Sequence, residues 1–193
     1  MKSLARPVAV LALAVATLTA CGGGGSDEKT ADPSPISTAS GLDAKPADGD
    51  TISTDDFAYT VPKDWKESPN SSAITLAIDS KDPDGFADNI NVIKDDTVAT
   101  LKGEKLEDAV EKVLTDANAS GIAVKKRVQV DGEEAVHVGA VFDLNGTKYR
   151  TEQYAFAHGE SGYIVTVSFS PDVPTAERDK VSESILTTWE WKS

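Results

Sequence analysis

The sequence has very few of the side chains from which disulfides and structural metal centres are built. Its 193 residues contain one cysteine, one methionine and two histidines. A single cysteine excludes a disulfide within the chain, so the fold must be stabilised by its hydrophobic core. One cysteine and two histidines are also too few for the usual ligand sets of a structural zinc site. We therefore expect no structural zinc site, and we expect no cofactor.

Basic residues are scarce as well. Nineteen Lys and Arg residues stand against 32 Asp and Glu residues, and the formal net charge is −13 at pH 7. A surface with this charge repels nucleic acid and anionic lipid headgroups, so we expect no nucleic-acid partner. Any membrane attachment must then depend on something other than surface charge. The hydrophobic content of 39% is enough for a globular core.

The longest apolar run lies at the N-terminus and is short. Residues 8–18 are almost entirely Ala, Val and Leu, and Lys2 and Arg6 precede them. A bilayer-spanning helix needs roughly 20 apolar residues, which this run does not supply. A positively charged start followed by a short apolar run and small residues is typical of a secretory signal peptide. Residues 1–20 are therefore predicted to be removed as a signal peptide.

The segment Leu18-Thr19-Ala20-Cys21 indicates what the only cysteine does. It resembles the bacterial lipobox, in which the thiol is acylated and the chain is cut just before the cysteine. The alternative is a secreted protein with a free cysteine, which would carry a reactive thiol without a partner. Two or more acyl chains hold a protein firmly at a membrane. We predict that acyl chains on Cys21 anchor the protein to the outer, extracytoplasmic face of the cell membrane.

The residues after Cys21 have the composition of a linker. Residues 22–50 are rich in Gly, Ser, Asp, Pro and Ala, and Ile36 and Leu42 are their only large apolar side chains. Such a segment buries too little surface to offset the entropy lost on ordering. We predict that residues 21–51 form a flexible linker with the lipidated cysteine at its start. Residues 52–193 are then one globular domain.

The globular part switches between two hydrophobic periods. Alternating apolar residues predict strands, and Asp131-Gly132 and Asn145-Gly146 are signals for hairpin turns. Apolar residues spaced by three and four predict a helix over residues 105–118 and a second one after Thr175. Strands grouped in hairpins, with two separate helices, predict the α+β class: an antiparallel β-sheet flanked by helices. The predicted strands cover residues 57–61, 73–79, 89–94, 122–130, 136–142, 147–157 and 163–169.

Three segments together resemble PsbP-like domains. Phe57–Trp65 corresponds to the opening strand and turn, Phe86–Ile93 to the third strand, and Val130–Ala135 to the hairpin after the first helix. With the lipobox, the whole chain is similar to actinobacterial lipoproteins of the LpqN/LpqT type. The resemblance implies an α/β/α sandwich and a non-enzymatic role in binding or assembly at a membrane surface. It implies no catalytic residue, because the family has no shared catalytic motif.

One acidic loop has part of a calcium-binding pattern. Asp82, Asp84 and Asp88 fall at positions 3, 5 and 9 of an EF-hand loop, with glycine at position 6. Positions 1 and 12 are Ser80 and Asn91, so the leading ligand and the bidentate glutamate are missing. The flanking segments are also predicted to be strands instead of helices. We favour an acidic hairpin turn and keep the three aspartates as weak calcium candidates.

A hydrolase would need a nucleophile and a base. Ser161 follows His158 across a Gly-Glu turn, so a Ser161–His158 pair is conceivable. The segment is not a Gly-x-Ser-x-Gly elbow, and the sequence indicates no acidic partner for the histidine. His137 falls on the face opposite Val136 and Val138, where we expect it to be solvated or packed. We expect no enzymatic activity and name no catalytic residue.

Two further groups of side chains have a predicted place. The strand over residues 122–130 carries a basic face made of Lys125, Lys126 and Arg127. The tryptophans are expected to fill seams between sheet and helix, with an apolar pocket or a partner surface as the alternative. They are Trp65, Trp189 and Trp191.

Two functions from different classes remain open, with an enzyme as the third. The first is a tethered, non-enzymatic interaction module that binds a protein or an envelope component. It predicts a filled core and an exposed charged or apolar patch. The second is a carrier that holds a lipid or another apolar ligand between helix and sheet, which requires a closed apolar cavity of several hundred Å³. The third is a hydrolase that uses Ser161 and His158.

Overall fold

The computed structural model of the protein describes residues 39–69, 72–81, 86–144 and 146–192. Within these residues there are ten strands and three helices, which confirms the predicted α+β class. The elements follow in the order β1 (Thr51–Ser53), β2 (Phe57–Thr60), β3 (Trp65–Glu67), β4 (Thr75–Asp79), β5 (Asn89–Lys94), α1 (Asp96–Ala99), α2 (Glu104–Asp116), β6 (Ser120–Val130), β7 (Glu133–Leu144), β8 (Thr147–His158), β9 (Ser161–Phe169), α3 (Thr175–Leu186) and β10 (Glu190–Trp191).

The centre of the fold is a sheet of seven strands within the described residues. Its strand order is β3-β4-β5-β9-β8-β7-β6, and neighbouring strands pair antiparallel. The β6–β7 turn contains Asp131 and Gly132 with φ angles of 43° and 87°. Positive φ at both central residues is the conformation that matches the twist of a two-residue hairpin. The hairpin predicted at Asp131-Gly132 is therefore confirmed.

One face of this sheet is covered by α3 and by a second, small sheet. The small sheet has the order β1-β2-β10, and the sequence pattern did not predict it. An aromatic cluster, defined as Phe57, Tyr59, Phe156 and Trp189, fills the space between the two sheets. The ring of Trp189 lies 4.5 Å from that of Phe57 and 5.4 Å from that of Tyr59. These contacts make the small sheet part of the core.

The tryptophans occupy the predicted core positions. Trp65 and Trp189 are buried, and Trp191 is half-buried and packs against the same core. Trp191 lies on β10, which pairs antiparallel with β2 as the last strand of the small sheet. β10 is an edge strand of the small sheet and places the ring of Trp191 against the core.

The opposite face of the seven-stranded sheet is covered by α1 and α2. Leu106, Val110 and Leu114 form the buried stripe of α2, in agreement with the predicted helix period. They join a core cluster that includes Val136 and Val138 of β7. Asp95 caps the N-terminus of α1, and its carboxylate accepts a hydrogen bond from the Thr97 N–H at 2.8 Å. In the described parts of the chain, no helix has both the length and the apolar character needed to cross a membrane.

Residues 39–50 lie against the domain, whereas the sequence predicted a linker up to residue 51. Ser40 forms a parallel bridge with Val128 at the edge strand β6, through its N–H and its carbonyl. Leu42 and Ala47 pack on the core next to the small sheet. A Cβ on Gly49 would collide with the backbone carbonyl of Pro62, so glycine permits this close approach. The two apolar side chains and the backbone hydrogen bonds explain why this part of the segment is ordered.

An irregularity in β6 separates two cations that the sequence placed on one face. The register with β7 shifts between Lys125 and Val128, which adds one residue to β6. A bulge of this kind reverses the alternation of side chains. Lys125 therefore contacts α3, and Arg127 contacts Glu107 of α2 on the other side of the sheet. The prediction of a single basic face was wrong for this reason.

Candidate functional site

Most of the sequence-predicted site residues are not tested by the fold. Cys21, Asp82 and Asp84 lie outside the described residues, so lipidation and calcium binding stay predictions. Asp88 is described, and its Oδ1 accepts a hydrogen bond from the N–H of Ser170 at 2.8 Å. One carboxylate oxygen of this calcium candidate therefore has a backbone partner.

The Ser161–His158 pair is brought together only in part. The two residues are strand partners at the β8–β9 hairpin. Nδ1 of His158 lies 3.0 Å from Oε1 of Glu133, and its ring stacks on that of Trp191 at 4.1 Å. Glu133 is thus the acidic partner that the sequence did not indicate. The hydroxyl of Ser161 lies near that of Tyr163, which donates to Oδ2 of Asp56 at 3.1 Å.

The other histidine belongs to a charged cluster, defined as Lys125, His137, Glu152, Arg178 and Asp179. Glu152 is its centre and is completely buried. Its Oε2 lies 2.9 Å from Nζ of Lys125 and 2.9 Å from Nε2 of His137, and its Oε1 accepts a hydrogen bond from Nε of Arg178 at 2.9 Å. Lys125 also donates to Oδ1 of Asp179 at 2.5 Å. Each oxygen of the buried carboxylate is paired.

Local sequence explains how a glutamate fits inside the core. Glu152 and Gly139 are strand partners on β8 and β7. A Cβ at Gly139 would lie 3.3 Å from Oε2 of Glu152, so the absent side chain leaves room for the carboxylate. Arg178 reaches it from α3, and its guanidinium also donates to the carbonyl of Val173 at 2.7 Å. The cluster therefore connects the loop before α3 to the sheet.

The protonation of Glu152 follows from its partners. Burial alone raises the pKa of this carboxyl, but the hydrogen bonds with His137 and Lys125, the charge of Lys125 and the hydrogen bond from Arg178 together lower its pKa to about 2. The carboxylate is therefore ionised at neutral pH. A buried charge of this kind is tolerated only with such pairing.

A polar cleft of about 350 Å³ opens above the charged cluster. It lies between residues 40–43, β6 and α3. His137, Lys125 and Asp179 form part of its wall, together with carboxylates and a second lysine. The complete lining consists of Ser40, Gly41, Asp43, Lys125, Lys126, Val128, His137, Asp179 and Glu183. The cleft therefore presents charges of both signs to solvent.

The ionised form of Glu183, in the cleft wall, is disfavoured by its surroundings. Burial and then the negative charge of Asp179 raise the pKa of Glu183, and Asp43 adds to the effect. Lys125 acts in the opposite direction. A cation that approached Glu183 would therefore relieve repulsion among neighbouring carboxylates.

Sequence reasoning named two members of the charged cluster, Lys125 and His137, but did not connect them. His137 was expected to be solvated or packed, and it is buried and stacked on Tyr154 at 4.2 Å. Glu152, Arg178 and Asp179 were not singled out. One feature of the sequence could have revealed Glu152. It shares a face of β8 with Tyr154 and Phe156, which belong to the core. A charge on an apolar face indicates a buried partner.

Comparisons with known proteins find no close relative. A scan against protein-family models gives no match. A search of curated proteins gives none either. Solved structures with a partly similar backbone come from Bacteroides thetaiotaomicron, Mycobacterium tuberculosis and Pseudomonas aeruginosa.

The Bacteroides protein is 18% identical over 71% of this chain, with a TM-score of 0.45, and this chain covers 45% of its length. LpqN of Mycobacterium tuberculosis, described as involved in cell envelope biogenesis, is 16% identical over 71% of this chain and 83% of its own, with a TM-score of 0.47. PA94 of Pseudomonas aeruginosa, a protein of unknown function, is 18% identical over 59% of this chain and 77% of its own, with a TM-score of 0.38. These likenesses are too distant to carry a functional assignment.

Proposed function

We propose that this protein is an extracytoplasmic lipoprotein, anchored through Cys21, whose domain is a non-enzymatic interaction module. The polar cleft is its contact site for a protein or envelope component that presents charges of both signs. The observation that carries this proposal is the contrast between filled layers and an open, charged cleft on the same domain.

The filled layers favour a binding module over a carrier of apolar ligands. Between the two sheets, the rings of Phe156 and Trp189 are 5.5 Å apart, and the aromatic cluster occupies the space that a lipid would need. On the other face, Leu114 of α2 is fully buried against the sheet. A carrier would need an apolar cavity of several hundred Å³ in one of these layers.

The lining of the cleft favours a polar partner. It places carboxylates on Asp43, Asp179 and Glu183 within the same depression as the ammonium groups of Lys125 and Lys126. Charges of both signs at one site select partners by complementary potential more than by apolar area. Lys126 and Asp43 are both exposed in this wall, so a partner can reach either side chain.

Site-specific cross-linking tests the proposed contact site. A photoreactive benzophenone amino acid is introduced at Lys126, and at Lys112 as the matched control on the exposed side of α2. In cells that produce the full chain, we expect cross-linked products from position 126 and none from position 112. Charge reversal by Asp43→Lys should reduce the yield at 126. Equal products from both positions would contradict the assignment of the cleft.

The anchor is tested separately by fractionation. Cys21→Ser removes the sulfur that the lipobox reaction requires, so the processed protein should move from the membrane fraction to the soluble extracytoplasmic fraction. Precursor that retains residues 1–20 is recognised by its larger mass. Mature Cys21→Ser protein that stays with the membrane would contradict lipid anchoring.

The two alternatives have their own readouts. A carrier predicts lipid that co-purifies with the Cys21→Ser protein and is identified by mass spectrometry of an organic extract. A hydrolase predicts turnover of a model ester that is lost in Ser161→Ala. Either result would replace the interaction module as the best account of the domain.

A further inference from the structure

The charged cluster has the geometry of a cation site. One ligand atom from each of His137, Glu152 and Asp179 lies within 4.8 Å of the other two. Nζ of Lys125 lies among them, 2.9 Å from Oε2 of Glu152 and 2.5 Å from Oδ1 of Asp179. The ammonium group therefore occupies the place where a metal ion would contact both carboxylates.

The donor atoms suit a divalent transition metal. An imidazole nitrogen and two carboxylate oxygens are ligands that Zn²⁺ accepts, and Zn²⁺ with three protein ligands keeps a fourth position for water. His137 and Asp179 also line the cleft, which gives this fourth position a path to solvent. The hydrogen bonds from Arg178 to Glu152 at 2.9 Å and to Thr175 at 3.2 Å hold the buried carboxylate in place, as outer groups do in metal sites.

Lys125 shares the cleft with two carboxylates outside the charged cluster. Its side chain is 22% exposed and extends from the edge strand β6. Asp43 and Glu183 line the cleft with it, and Glu183 is the carboxylate that gains from an added cation. When the ammonium moves to these carboxylates, its charge stays paired and the inner ligands are free for a metal.

We propose that His137, Glu152 and Asp179 form a binding site for a divalent transition metal such as Zn²⁺, which Lys125 occupies with its ammonium group when no metal is bound. The metal and the ammonium exchange, and the displaced Lys125 pairs with Glu183 and Asp43. The geometry of the charged cluster supports this metal site. The site does not depend on whether a partner binds in the cleft.

Calorimetric titration with Zn²⁺ tests the site. The background is the full chain with Cys21→Ser, so that the only thiol of the protein cannot bind the metal. We expect one Zn²⁺ per chain in this background. Lys125→Met should bind Zn²⁺ roughly tenfold more tightly or more, because it removes the competing cation with its charged hydrogen bonds. Equal or weaker binding by Lys125→Met would overturn the exchange.

A matched pair of histidine variants locates the binding. His137→Gln should abolish the titration signal, whereas His158→Gln should leave it unchanged, because His158 is paired with Glu133 outside the cluster. Circular dichroism and the thermal midpoint without metal show that each variant is folded. Binding that survives His137→Gln in a folded protein would overturn the site. Binding seen only in Lys125→Met, and not in the background, would also overturn the proposal, because the natural chain would then exclude the metal.

NMR gives a readout that a structural role of His137 would not produce. The chain has two histidines, so the ring signals are assigned directly with the His158→Gln variant. Addition of Zn²⁺ should shift the ring signals of His137 and leave those of His158 in place. Shifts of both rings, or of His158 alone, would contradict the assignment.

Discussion

Helix α3 covers two clusters of opposite chemistry on the same face of the seven-stranded sheet. Its C-terminal residues Ile185 and Leu186 pack with the aromatic cluster, whereas Arg178 and Asp179 near its start belong to the charged cluster. Apolar burial has no direction and scales with area. The charged cluster depends on the presence and placement of each partner. The C-terminal end of α3 is thus held by the burial of apolar surface, and its N-terminal end by specific ion pairs.

The largest loss of stability is expected from a substitution in the aromatic cluster. Trp189 is 3% exposed and contacts three rings of the cluster, so Trp189→Ala should lower the free energy of unfolding by about 3–5 kcal/mol. Urea denaturation measures the effect. Trp191→Ala is the control, because this ring is only half-buried and should cost clearly less. Equal losses would contradict the prediction, because the buried ring would then stabilise the fold no more than the half-buried one.

The centre of the charged cluster should give the next largest effect. Glu152→Gln leaves Arg178 and Lys125 without their buried counter-charge, and we expect a loss of about 3 kcal/mol at pH 7. Urea denaturation under the conditions used for the tryptophan variants checks this. A loss below that of a surface substitution would show that water or another carboxylate compensates for Glu152.

The same residue predicts a pH dependence that the aromatic cluster lacks. The pKa of Glu152 falls from an ordinary value of 4.5 to about 2 in the fold. Its contribution is then complete above about pH 4.5 and is lost as the pH falls towards 2. Glu152→Gln should flatten this part of the stability profile, whereas Trp189→Ala should lower the whole profile without changing its slope. An unchanged slope in Glu152→Gln would assign the acid sensitivity to other carboxyls.

The rim of the charged cluster should be less sensitive than its centre. Lys125→Met, measured with a chelator present, should cost about 1 kcal/mol, because His137 and Arg178 still pair with Glu152 and the methionine keeps the packing of the stem. Thermal unfolding is sufficient to detect this. A loss as large as that of Glu152→Gln would place Lys125 at the centre of the network.

An exposed ion pair provides the baseline. Lys112 and Asp116 are four residues apart on α2 and 2.8 Å apart, with both side chains more than half exposed. Lys112→Ala should change stability by about 0.3–0.5 kcal/mol, less than either cluster. The measurement is a denaturant midpoint at low and high salt. A larger effect that salt does not reduce would indicate a role for Lys112 besides this pair.

The sequence predicted the parts of the fold that local periods encode. The alternation of Val136 and Val138 placed both on the face that α2 covers, and the hairpin at Asp131-Gly132 followed from turn chemistry. The alternation of β2 predicted a strand over residues 57–61. The small sheet as a whole was missed because its other strands, β1 and β10, have three and two residues, too few for a period to be visible. The bulge in β6 was missed because one extra residue leaves no mark in the composition.

The charged cluster could not be predicted for a different reason. Lys125 meets Glu152 across 27 residues and Asp179 across 54 residues of sequence. The alternation within a strand tells which side a residue faces, but not which strand or helix lies opposite it. Once the strand order is known, Glu152 beside Gly139 becomes recognisable as a buried carboxylate with room for its partners.

The bridge between Ser40 and β6 has a consequence for orientation. The polypeptide enters the domain beside the mouth of the cleft, since Ser40 and Gly41 are also part of its wall. Residues 22–39, 18 in number, separate Cys21 from this entry point. If they form the flexible linker that the sequence predicts, they reach roughly 25 Å. Under the proposed anchoring at Cys21, this length would keep the cleft close to the membrane surface, within reach of a partner in the envelope.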